Sequence, residues 1–216
     1  AHRLWQSSRG RFFPHLLTAA LQRTFAFKAM DHIGAIAQNL HLDVAGAFDD
    51  FFHIQATIAK GGFRLGAAVS CMNVLEHAAF TRTWPGVSEA TALIGSIQIK
   101  GRASVGGNLC NGSPAADSVP ALIAAGATVT IVGPQGRREA RVEDIITGPG
   151  KTSLARGEVL VSFFFAPHAP HSADAYLRFT PRTEMDIAVV GAGVNLTLDA
   201  GGICTAARVC LGAVAE

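Results

Sequence analysis

A chain of 216 residues with 49% hydrophobic and 16% charged residues is long enough to bury one large core or two small ones, which excludes a disordered polymer. The net charge of +2 supplies no broad basic surface, so nucleic acid is not expected as the main partner and a small-molecule site is. The most apolar stretch, residues 119–132, is interrupted by Pro120 and threonines and is shorter than the about 20 residues of a membrane span, so no membrane span is predicted.

In chain order, residues 1–55 are rich in Phe, His and Ala, and no strand or helix period emerges from them. Their first thirty positions carry Arg3, Arg9, Arg11, Arg23 and Lys28 without an acid, a bias shared by organellar transit peptides and by an ordinary basic helix near residues 16–27. No processing-site pattern follows, which favours the second reading. From the Gly61-Gly62 turn onward the pattern tightens. Residues 63–69 alternate as a strand, Ser70 is placed to cap a helix through Val74 and Leu75 toward Phe80, and Pro85 suits the first turn of a helix reaching about Ile94.

A glycine-rich loop over residues 94–117 comes next, and residues 118–125 are predicted helical. Residues 128–132 and 138–142 flank Gly133-Pro134-Gln135-Gly136 as a hairpin, and 159–165 form a further strand. A linker with His168, Pro170 and His171 leads to strands at 176–180, 187–198 and 203–211, the last two joined by the turn Asp199-Ala200-Gly201-Gly202. One face of that three-stranded sheet is apolar and has no predicted covering element.

Chemistry is concentrated in the glycine-rich segment. Gly106-Gly107 lets the backbone approach an anion closely, because no Cβ intervenes and positive φ is allowed. Ser104, Asn108, Asn111 and Ser113 surround it with short hydrogen-bonding side chains, and Asp117 can accept from hydroxyls while opening the next helix. A pyrophosphate cradle and a plain surface loop both fit this composition. The dinucleotide fingerprint G-x-G-x-x-G is absent.

The other motifs are weaker. Gly148-Pro149-Gly150-Lys151-Thr152 ends like a P-loop, but Ile145 stands where that loop needs glycine. The eight histidines show no metal-ligand spacing, and no serine sits in a G-x-S-x-G elbow. Cys71, Cys110, Cys204 and Cys210 form no C-x-x-C pair, so neither zinc nor an iron–sulphur cluster is predicted, and reduced thiols imply a cytoplasmic setting.

Gln98-Ile99-Lys100, Ala103-Ser104-Val105-Gly106-Gly107-Asn108 and Ser113-Pro114-Ala115-Ala116-Asp117 together resemble the FAD-binding (medium) subunit of molybdenum hydroxylases, the xanthine dehydrogenase and carbon monoxide dehydrogenase flavoprotein family. The likeness runs from about residue 56 to 216 and takes in Phe63-Arg64-Leu65-Gly66-Ala67 and the segments 148–158, 182–190 and 207–214. It implies an α+β fold: the two-subdomain FAD-binding fold of the vanillyl-alcohol-oxidase (PCMH) type, followed by a truncated C-terminal three-stranded antiparallel sheet domain. The implied division is an atypical segment at 1–55, the second FAD-binding subdomain at 56–166 and the C-terminal flavoprotein domain at 167–216.

By the same resemblance, the cofactor contacts fall on Ile94 beside the nucleotide, Ser104, Val105, Gly106, Gly107 and Asn108 at the pyrophosphate, Asn111 and Asp117 at hydroxyls, and Leu160 along the ring system. Arg178 stands where the family commonly has lysine, keeping the charge but not its point-like geometry. No catalytic residue and no metal ligand is predicted. The implied function is electron transfer by an FAD-dependent oxidoreductase subunit of a heteromeric complex. Its partners would be an iron–sulphur small subunit carrying [2Fe-2S] clusters and a molybdopterin-binding large subunit carrying the molybdenum cofactor. A self-contained FAD oxidase or reductase and a flavin-free assembly subunit are the alternatives. The family's first FAD loop, a segment like A-G-G-T-D-L-L, has no counterpart in residues 1–62, so weak FAD binding or none is expected of the chain by itself, and a fragment or a frame error upstream of about residue 56 would account for it.

Overall fold

The computed structural model describes residues 53–57, 61–182 and 185–214; the basic helix expected near residues 16–27 lies outside them. Strand β1 (Ile54–Thr57) pairs antiparallel with β2 (Gly62–Gly66). The expected strand at 63–69 ends early, because beyond Gly66 the chain turns and Val69 N–H closes back on the Gly66 carbonyl at 3.2 Å. Ser70 then caps α1 (Cys71–Glu76), its hydroxyl accepting from Asn73 N–H at 3.1 Å. The single helix expected to reach Phe80 is broken at His77. That residue is outside the helical region (φ −81°, ψ 88°), and its Nδ1 accepts from Phe80 N–H to start α2 (Ala78–Thr83).

Helix α3 (Pro85–Ala92) begins on its proline as expected and has no side-chain cap of its own. Short helices α4 (Ile97–Lys100) and α5 (Val105–Cys110) follow, then α6 (Ser118–Ala124). The hairpin β3 (Thr128–Gly133) and β4 (Gly136–Arg141) turns over Pro134-Gln135, and the small pair β5 (Ile146–Gly148) and β6 (Lys151–Thr152) leads into β7 (Val159–Phe165). β8 (Ser172–Phe179), β9 (Val190–Leu198) and β10 (Cys204–Gly212) follow. β8 starts four residues before the expected position.

Two sheets result. The larger runs β1-β2-β7-β3-β4 with antiparallel pairing throughout, and the other is the antiparallel sheet β10-β9-β8. Phe80 fills the core above the larger sheet, edge-on to Phe63 at 5.5 Å and to Phe165 at 5.2 Å, with Leu65, Phe163 and Ile131 fully buried beside it. The smaller sheet lays one face on α3 and α6. Gly193 makes that approach possible: a Cβ there would lie 2.4 Å from the Pro120 carbonyl oxygen. Its other face carries Leu177, Phe179, Val209 and Leu211, all exposed. Among the described residues no helix is long and apolar enough to cross a membrane.

Candidate functional site

The glycine-rich segment is not a loop throughout. Ser104, extended at φ −128° and ψ 158°, caps α5, and its hydroxyl accepts from Gly107 N–H at 3.0 Å. Gly106 N–H donates to the Ala67 carbonyl at 3.2 Å, and Asn108 N–H to the Ser104 carbonyl at 3.0 Å. The N–H groups of Gly106, Gly107 and Asn108 are therefore engaged inside the protein. Gly106 answers a steric demand from its own fold, since a Cβ would sit 2.4 Å from Ala67 O and 2.8 Å from Ala67 Cβ. Asn108 presents Oδ1 to Ser118, accepting from N–H at 3.1 Å and from the hydroxyl at 2.6 Å, which ties α5 to the start of α6.

Asp117 lies at the seam between α6 and the C-terminal sheet. It stands at the N-cap position of α6, where it was expected to open that helix, and makes no side-chain cap bond there. Its carboxylate receives Arg178 Nη1 at 3.2 and 3.1 Å and the Tyr176 hydroxyl at 3.3 Å. Both partners of the ion pair are nearly enclosed, with side chains 13% and 7% exposed. Burial raises the Asp117 carboxyl above the ordinary carboxylate range, while Arg178 and the Tyr176 hydroxyl favour its ionised form. The tyrosine hydroxyl is itself pushed up, by burial first and by the neighbouring carboxylate second. Arg178 Nη1 also reaches the Leu93 carbonyl at 3.3 Å, one residue before buried Ile94.

The structure thus gathers Asp117 and Arg178 directly, with Ile94 one residue away and Ser104 to Asn108 joined on through Ser118. Leu160 is 4% exposed, paired with Ile131 across the sheet and part of the core. Asn111 is exposed at the C-terminal end of α5. Sequence reasoning passed over Lys100, whose ammonium bonds the carbonyls of Ala92 at 2.8 Å and Gly95 at 3.3 Å, and Tyr176. The available signal for Tyr176 was its place in the alternating set Asp174, Tyr176, Arg178 on one face of β8. Among the described residues no cluster of His, Cys, Asp or Glu could hold a metal.

Residues 47–168 match the family model described as FAD binding domain in molybdopterin dehydrogenase, and residues 175–216 match the CO dehydrogenase flavoprotein C-terminal domain. The chain belongs to this flavoprotein family. The flavoprotein chain is 35% identical over 147 residues to a putative xanthine dehydrogenase FAD-binding subunit of Escherichia coli, across 67% of its own length and 50% of the relative's. It is 30% identical over 142 residues to the nicotinate dehydrogenase FAD-subunit of Eubacterium barkeri, across 64% of its own length and 48% of the relative's. It therefore spans about half the length of the curated relatives it matches. Reconstituted CO dehydrogenase from Oligotropha carboxidovorans superposes with a TM-score of 0.71 at 26% identity, over 77% of this chain and 57% of that one.

The donor set fits an FAD. Arg178 makes every one of its described contacts through Nη1, so Nη2 and Nε remain for an anionic or carbonyl acceptor. Asn108 uses Oδ1 alone, which leaves its amide N–H groups, and the Asp117 carboxylate retains lone pairs for a hydroxyl. The fit rests on side chains more than on the glycine N–H groups.

Proposed function

We propose that this chain is the FAD-binding electron-transfer subunit of a molybdenum-containing hydroxylase or dehydrogenase. Membership of the flavoprotein family carries the reading, and the Asp117–Arg178 seam supports it. FAD, when bound, supplies the ability to take up reducing equivalents and pass them to an acceptor. Arg178 would place a fixed positive charge against the cofactor, held by Asp117 so that the guanidinium cannot swing into solvent. Asp117 would accept from a cofactor hydroxyl. Asn108 and Ser104 would contribute polar contacts at the phosphate end, and buried Ile94 a wall beside the nucleotide. Ser104 can donate its hydroxyl hydrogen to a phosphate oxygen while its oxygen goes on accepting from Gly107 N–H.

The reaction needs groups that no described residue supplies. Iron–sulphur clusters and a molybdenum cofactor are assigned to partner subunits, a small and a large one, in the cytoplasm. The test is to co-express the chain with candidate partner subunits, purify it by a tag and record the absorption spectrum with and without added FAD. Flavin bands together with stoichiometric iron and molybdenum are expected. A colourless protein that gains no flavin band from excess FAD would overturn the assignment. Substrate-dependent dye reduction by the isolated chain would instead favour a self-contained oxidase.

A further inference from the structure

We infer that Tyr176 is a positioning residue for the cofactor site, its hydroxyl fixing the Asp117 carboxylate in the orientation that holds Arg178. The inference rests on the FAD-binding reading. Three observations converge on it. Tyr176 is 3% exposed and points its hydroxyl at Asp117 Oδ1, 3.3 Å away. Its backbone is anchored separately, the N–H donating to Glu89 Oε2 at 2.8 Å from helix α3. A place for the phenol is also cut into the neighbouring strand: a Cβ on Gly191 would lie 2.4 Å from the tyrosine oxygen and 3.2 Å from the ring carbon bearing it. No positive φ calls for glycine at 191, so the absence of a side chain there serves the phenol.

The geometry explains why the hydroxyl is needed. Arg178 approaches both carboxylate oxygens through one nitrogen, Nη1, which is not the fork-to-fork arrangement that would fix the rotation of both groups. A second donor, the Tyr176 hydroxyl on Oδ1, removes that freedom. With the carboxylate pinned, Arg178 keeps Nη2 and Nε turned away from Asp117. Without it, the pair can rotate into a two-nitrogen fork and withdraw those donors from the cofactor.

The experiment combines two variants that remove the contact by different routes. Tyr176→Phe deletes only the oxygen, and Gly191→Ala keeps the oxygen but crowds it off Asp117. Each is combined with Asp117→Asn, and FAD dissociation constants are measured by titrating the full chain in its assembly, with visible circular dichroism of the bound flavin as the seating readout. Either single variant is expected to weaken FAD about tenfold, the loss of one hydrogen bond to a charged group. It should alter the flavin dichroism, and it should add little once Asp117 is already Asn. Full additivity in the double variants, or single variants with unchanged affinity and dichroism, would overturn the positioning role even if they unfold more easily. If wild type itself takes up no FAD, the functional reading fails and this role fails with it, an outcome identifiable because the parent protein shows it.

Discussion

Gly106→Ala tests whether the glycine pair serves the fold before it serves a ligand. The added methyl would lie 2.4 Å from Ala67 O and 2.8 Å from Ala67 Cβ, where ordinary contact begins near 3.4 Å, so α5 must move by about 1 Å from the turn after β2. Overpacking of this kind costs roughly 1–3 kcal/mol. The shift also strains the Gly106 N–H bond to the Ala67 carbonyl, worth about 1 kcal/mol. Alanine's better helix propensity returns about 1 kcal/mol. The net loss is about 2 kcal/mol, a fall in melting temperature of roughly 4–8 °C for a chain of this size. Differential scanning calorimetry of the full chain without added FAD measures it. A cofactor-free variant melting within about 1 °C of wild type would refute the steric argument and return the glycine to a purely ligand-facing role.

Gly193→Ala should lift the C-terminal sheet from α6, because the new Cβ would meet Pro120 backbone atoms at 2.4 and 2.5 Å; a loss of about 2 kcal/mol in urea melts is expected, with earlier proteolysis of β8 to β10. Glu158 binds Arg138 through two 2.7 Å contacts, and its carboxyl is lowered from 4.5 to about 2 by that bond above all. Its folded-state value lies below its unfolded one, so its contribution is complete above about pH 4.5 and is lost as pH falls toward 2. Water screening around Arg138 limits the effect, so Glu158→Gln should cost about 1 kcal/mol at pH 7 and progressively less on acidification, read by urea melts at several pH values. Burial pushes the Cys71 thiol up to about 12 and the Cys110 thiol to about 11, whereas Cys204 is exposed. Iodoacetamide at pH 8 should label Cys204 first and leave Cys71 and Cys110 until the chain is unfolded, as mass spectrometry would show.

Much of the secondary structure was legible because single residues carry it: Ser70 as a cap, Pro85 at a first turn, Gly133 to Gly136 as a hairpin end. The break at His77 was not, since nothing local announces that an imidazole will replace a backbone carbonyl as the acceptor of Phe80 N–H. The glycine-rich segment was found by its composition, but composition could not show that Ser104 and Ala67 would take up its N–H groups. Strand β8 defeated the usual rule most clearly. Its alternation is regular, yet Asp174, Tyr176 and Arg178 point into the protein while Leu177 and Phe179 are 78% and 63% exposed. Sequence alternation fixes that two faces exist, and only the partners of each face decide which is inside.

Helix α3 is finished by residues that arrive much later in synthesis. Its uncapped start is met by the Asp174 carboxylate, which accepts from Val87 N–H at 3.2 Å across 87 positions of sequence, and Glu89 receives Tyr176 N–H across the same separation. On the ribosome, α3 therefore emerges with its first turn open to water and stays so until β8 has been made. At about 5–20 residues per second that wait lasts several seconds or more. During it, the face of α3 that will carry the sheet is bare to chaperones and to other nascent chains. The junction that holds Asp117 and Arg178 together is closed only when β8 arrives, so a chain interrupted before β8 lacks the charged pair.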